Sequence, residues 1–130
     1  MADKSVYNID KDSFAPINTI SSDMTDVLWT TLQCTEELTK EYIKTALEDI
    51  KLFDRKQHDY GSGNISKFGE FGVLVRSSDK LERLANLRKK QMELSQPANS
   101  FALNETMEDS WADLSVYGVI ARMVRGGVWK

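Results

Sequence analysis

At 130 residues, with a net charge of −3 and 41% hydrophobic residues, the chain has the make-up of one ordinary globular domain with enough apolar side chain for a core. Its acidic balance excludes a sequence-wide basic field of the kind that tracks DNA or RNA, although a local pocket needs only a few cations. A single cysteine, Cys34, and a single histidine, His58, exclude an internal disulfide, a cysteine-based zinc site and any site built on two histidines of one chain.

Residues 1–20 contain Pro16 and several small polar residues and lack helical periodicity, so an irregular N-terminal arm is expected there, followed by a single helical domain over residues 21–130. The opening MADKSVYNIDKD has no apolar signal core, and no apolar run reaches the roughly 18 residues of a membrane span. A cytoplasmic protein without a membrane partner is the expectation. From Asp23 to about His58 the pattern is helical, with Ser22 or Asp23 as cap and Leu28, Leu32, Ile43, Leu47, Ile50 and Phe53 on its apolar face. That stretch is either one long helix or two joined near Thr35.

The run HDYGSGNISKFGEFG carries four glycines and reads as a loop. A second helix is expected from about Val73 to Glu93, with Val73, Leu74, Leu81, Leu84, Ala85 and Leu87 as its core contacts. SQPANSFAL reads as a linker. Asn104 would cap a final helix that Gly126 and Gly127 end. Strand signals are nearly absent, which predicts an all-α fold, a small bundle of three to four helices with the glycine-rich loop between the first long helix and the second.

The final helix holds the most informative pattern. Glu105, Asp109 and Asp113 recur every four residues and run into Val116, Tyr117 and Ile120 on the same face. Acids continuous with an apolar stripe are expected to be half-buried, and a half-buried carboxylate requires a cation or a metal. The second helix offers Asp79 and Glu82 beside a cationic ridge of Arg76, Lys80 and Arg83. Packed antiparallel, the two helices would bring Asp79, Glu82, Asp109 and Asp113 together as ligands for Mg²⁺. The plainer alternative is that Asp109 and Asp113 pair with Arg76, Lys80 or Arg83 across the interface, or Asp79 with Arg83 along the helix. In the glycine-bearing loop, Lys56 supplies charge, Tyr60 a ring for stacking on a base, and Asn64 a group for reading one; it is not a P-loop. Cys34 reads as a core filler, and Trp129 as an anchor of the tail on the body or on a partner subunit.

Three stretches taken together, DYGSGN, FGEFGVLVRSSDKLERLANL and ETMEDSWADLSVYGVIA, resemble the nucleotide modification associated domain 1 family, a small helical domain common in phages and prophages. The family pattern is a DYG loop, then VR-x-x-DK-x-x-RL-x-x-L, then E-x-x-x-D-x-x-x-D-L-x-x-Y. The matching residues are Asp59, Tyr60 and Gly61; Val75, Arg76, Asp79, Lys80, Arg83, Leu84 and Leu87; and Glu105, Asp109, Asp113, Leu114 and Tyr117. The resemblance covers about residues 46–126 and not the first 45. It implies a link to phage pathways that make or handle modified nucleotides, in the host cytoplasm. The helical acids are also similar to those of MazG-type all-α nucleoside triphosphate pyrophosphatases, which bind Mg²⁺. The chain departs from the E-x-x-E and E-x-x-D pairs of that type, since its second helix has Asp79 and Glu82 and its last has Asp109 and Asp113.

The reading that follows is a nucleotide-binding protein, extending to a Mg²⁺-dependent nucleoside triphosphate pyrophosphohydrolase. Asp79, Glu82, Asp109 and Asp113 would hold metal, with Glu105, Asp109 and Asp113 as the catalytic acids. Arg76, Lys80 and Arg83 would neutralise phosphates, while Lys56, Asp59, Tyr60 and Asn64 would complete the nucleotide site. Its competitors are a non-catalytic module that captures a nucleotide signal of host defence or regulates a base-modification enzyme, and a structural protein whose acids and bases are interhelical ion pairs. The expected partners are a nucleotide or modified nucleotide and further copies of the chain, rather than nucleic acid.

Overall fold

A computed structural model describes residues 14–93 and 101–129, with side chains over 23–93 and 106–129. Four helices appear, α1 (Phe14–Thr31), α2 (Leu38–Tyr60), α3 (Gly63–Glu93) and α4 (Phe101–Arg125), with no strand among the described residues. The fold is all-α. The chain divides into two compact units, Met1–Lys51 and Leu52–Lys130, and the division falls inside α2.

In the first unit the helix starts at Phe14, ahead of the expected caps Ser22 and Asp23, which lie within it. Pro16 is its third residue, and the first turn tolerates proline because its N–H groups have no intrahelical partner. The expected irregular arm is thus helical over residues 14–20, and its residues 1–13 lie outside the described residues. The long helical pattern up to His58 is two helices. Gln33 turns the chain with φ of 58°. Its N–H donates to the Thr30 carbonyl at 3.0 Å, and the Cys34 N–H donates to the Trp29 carbonyl at 3.0 Å, which together form a Schellman cap. Cys34 thus sits half-buried in the turn rather than on a helix. The Trp29 indole donates to the Glu36 carbonyl at 3.0 Å, and the Lys40 ammonium lies 4.7 Å from the Trp29 ring centre, latching the start of α2 to the end of α1.

In the second unit the glycine-rich connection contracts to Gly61 and Ser62. The Gly61 N–H closes α2 on the Gln57 carbonyl at 2.8 Å, and the Ser62 carbonyl opens α3 by accepting the Ser66 N–H at 3.0 Å. Most residues that read as loop are helical, because a glycine in a helix costs only about 1 kcal/mol. The break is confined to Gly69, at φ 61° and ψ −149°, a backbone that side-chain-bearing residues do not adopt without strain. The kink also brings Phe68 against Gly72, where a Cβ would lie 2.6 Å from the Phe68 Cβ.

Beyond the kink, α3 packs antiparallel on α4, as Arg125 meeting Glu70 at 3.2 Å and Asp113 meeting Lys80 at 2.8 Å require. Val73, Val116 and Ile120 form the buried centre, flanked by Leu52, Phe53, Ile65, Tyr117 and Trp129. A second Schellman cap at Gly127, with the Val128 N–H on the Met123 carbonyl at 3.1 Å, turns the tail back. The Trp129 indole then donates to the Ser62 carbonyl at 3.2 Å, and its ring meets Phe53 edge-on at 5.9 Å. Trp129 anchors the tail on its own unit. Of the core face expected for α3, Val73 and Leu84 are buried and Leu87 is partly so, but Leu74, Leu81 and Ala85 are exposed. The three exposed residues sit roughly 100° round the helix from the face that α4 covers. None of the described helices is long and apolar enough to cross a membrane.

Candidate functional site

The acid stripe of α4 resolves around one residue. Asp113 receives the Lys80 ammonium at 2.8 Å and the Lys56 ammonium at 2.9 Å, and its side chain is only 13% exposed. Burial alone would push its carboxyl up, but hydrogen bonds and charge from Lys80 and Lys56 outweigh that and hold it below the usual carboxylate value. Asp113 is thus a three-element clasp: α4 supplies the carboxylate, α3 one lysine, and the last turns of α2 the other. A carboxylate on the inner face of α4 is tolerated because it is neutralised there.

Its neighbours behave differently. Asp109, one turn earlier, is exposed, as are Asp79 and Glu82. The side chain of Glu105 lies outside the described residues. Among the described residues no three His, Cys, Asp or Glu side chains gather where a metal ion could be held. The Mg²⁺ set expected from Asp79, Glu82, Asp109 and Asp113 is therefore not assembled, and the donor best placed to anchor it, Asp113, is occupied by two lysines. The plainer expectation of a cross-helix ion pair describes Asp113 with Lys80. It does not extend to Asp79 and Arg83, which do not pair with each other although they stand four residues apart on one helix.

The other face of Lys80 opens onto a groove of about 650 Å³, lined by Arg76, Lys80, Arg83 and Lys90, by Asp79 and Glu82, by Asn86 and Leu87, and by Tyr117 of α4. The lining follows from spacing: Arg76, Arg83 and Lys90 recur every seven residues, with Lys80 and Leu87 four residues after the first two, so all five share one side of α3. Four cations face two carboxylates, and among the described residues Arg76, Arg83 and Lys90 make no ion pair. Arg76 is half-buried and Arg83 exposed, and both line the groove. Tyr117, also half-buried, both packs against the core and borders the groove.

Of the residues expected at a nucleotide site, the structure gathers Arg76, Lys80 and Arg83 in the groove and links Lys56 to it through Asp113. It does not bring Asp59, Tyr60 or Asn64 into the lining; all three are exposed at the turn between α2 and α3. Sequence reasoning missed Lys90, whose signal was the seven-residue spacing from Arg83. It also missed Tyr117 as a groove residue, since its place in an apolar stripe points only to the core. No family model, curated protein or solved structure matches this chain.

Proposed function

We propose that the second unit binds a phosphate-bearing nucleotide in the groove along α3, with Arg76, Arg83 and Lys90 taking the phosphates and the Tyr117 ring bordering the base or sugar. The observation that carries this reading is the set of three cations on one side of a helix, without an ion pair among the described residues, beside a fourth, Lys80, that lines the same groove while paired with Asp113. Unpaired guanidinium groups are suited to phosphate because their planar forks match its oxygens. The resemblance to the nucleotide modification associated domain 1 family falls on the same residues, Arg76, Asp79, Lys80, Arg83 and Tyr117, and supports the same ligand class. Because Asp113 is clasped by lysines and no carboxylate group able to hold a metal is formed among the described residues, binding without turnover is the better supported form.

Turnover is the second reading, and one observation favours it. Asp79 and Glu82 line the groove beside the cations, an arrangement suited to a nucleotide carried as its Mg²⁺ complex.

The test is a thermal-shift panel of nucleoside mono- and triphosphates and cyclic dinucleotides, with Mg²⁺ and with EDTA, each mixture then resolved by chromatography. A rise in melting temperature with the ligand recovered intact supports the binding module. Release of monophosphate and pyrophosphate would transfer the argument to the hydrolase. Arg76→Glu with Arg83→Glu should abolish the shift while leaving the helical circular dichroism unchanged. A shift that survives both substitutions would place the ligand elsewhere.

A further inference from the structure

The third side of α3 is accounted for neither by the core nor by the groove. Past the kink at Gly69 the residues at spacings of three and four are Phe71, Leu74, Ser78, Leu81, Ala85 and Arg88, all exposed. Phe71 is 71% exposed, Leu74 65% and Leu81 53%, and Met92 continues the row at 68%. This is an apolar row, interrupted by Ser78 and Arg88, that lies roughly 100° round the helix from the side packed on α4. Its large side chains expose on the order of 500 Å² of apolar surface, comparable with the largest patch on a typical monomer and a major part of the about 800 Å² that each partner contributes to a standard interface.

We propose that this stripe is a two-fold interface with a second copy of the chain, the two α3 helices running antiparallel. The argument is self-complementarity. When the two-fold axis is placed between Asp79 and Lys80, Ser78 of one copy faces Leu81 of the other, and Leu74 faces Ala85, so each large residue meets a small one. In the same register Phe71 faces Arg88, a cation over an aromatic ring. Glu70 faces Lys89, an opposite-charge pair on the rim. Arg88 is exposed, and the one hydrogen bond it makes among the described residues, to the Gln91 side-chain oxygen at 2.7 Å, lies along its own helix and uses one of its guanidinium nitrogens. The parallel alternative would stack Phe71 on Phe71 and Arg88 on Arg88, and so loses both the size match and the charge match. Antiparallel pairing leaves the groove of each copy open, since Arg76, Arg83 and Lys90 lie on a different side of α3.

Light scattering and sedimentation of the full chain at tens of micromolar test this. The expected particle has twice the 14.8 kDa chain mass, and Leu74→Lys with Leu81→Lys should give a monomer with unchanged helical circular dichroism. Should that variant fail to fold, the rim pair still reads the register: Glu70→Lys should weaken association a few-fold, and adding Lys89→Glu should restore it. The contact that Glu70 makes with Arg125 in its own chain is lost in both variants, so restoration reports the partner alone. A monomeric wild type overturns the proposal, as does an assembly insensitive to Leu81→Lys. Failure of Lys89→Glu to rescue Glu70→Lys overturns the antiparallel register.

Discussion

Asp113 shows how one side chain joins stability to the site. Two ammonium groups within 2.9 Å compensate its burial, so Asp113→Asn should cost about 1–3 kcal/mol, the range for charged hydrogen bonds left half-made. The pH dependence has a definite sign. A carboxyl whose folded pKa lies below its ordinary value of 3.8 adds stability that is fully present above that value and is lost as pH falls through the folded pKa. Denaturant melts of wild type and Asp113→Asn should therefore differ most near neutrality and converge in acid. A difference that grew on acidification would contradict the clasp. The same substitution releases Lys80 toward the groove, so a phosphate ligand should bind no more weakly to a folded Asp113→Asn than to wild type.

At the scale of the elements, chain reversals account for most differences between pattern and structure. The Schellman cap after α1 puts Gln33, a residue with a Cβ, at φ 58°, where left-handed backbone costs about 1–2 kcal/mol. Gln33→Gly should raise the unfolding free energy by up to about 1 kcal/mol in urea titration, the glycine's extra unfolded-state entropy offsetting part of the gain. The cap after α4 sends Trp129 back onto Phe53 and Ser62. Trp129→Ala should destabilise the second unit by about 2 kcal/mol, less than a fully buried tryptophan because the ring stays partly open. Retained stability in that variant would mean that the tail is not held. The positions of these turns were legible only in part. Gly127 is an evident stop, but nothing local marks Gln33 as one, and the four glycines from Gly61 to Gly72 suggested a loop where the chain is helical except for the turn at Gly61 and the bend at Gly69.

For the whole molecule, the groove and the apolar side of α3 are separate surfaces of one helix. Variants in one should leave the other's readout intact: Arg76→Glu with Arg83→Glu should remain an α3-mediated dimer, and Leu74→Lys with Leu81→Lys should still bind nucleotide. The sequence by itself determined the all-α class and the cationic ridge of Arg76, Lys80 and Arg83, and offered Asp113 with Lys80 as one of several cross-helix pairings, because helical spacing assigns residues to faces before any partner is known. Only the tertiary structure decided which face meets which neighbour. It gave Asp113 to two lysines, left Asp79, Glu82 and Asp109 at the surface, brought Tyr117 and Lys90 to the groove, and left Leu74 and Leu81 exposed. The physical reason is that periodicity fixes angles around one helix axis, whereas burial, pairing and ligand access depend on the rotation and offset of a second helix, and those are set by side chains far apart in the chain.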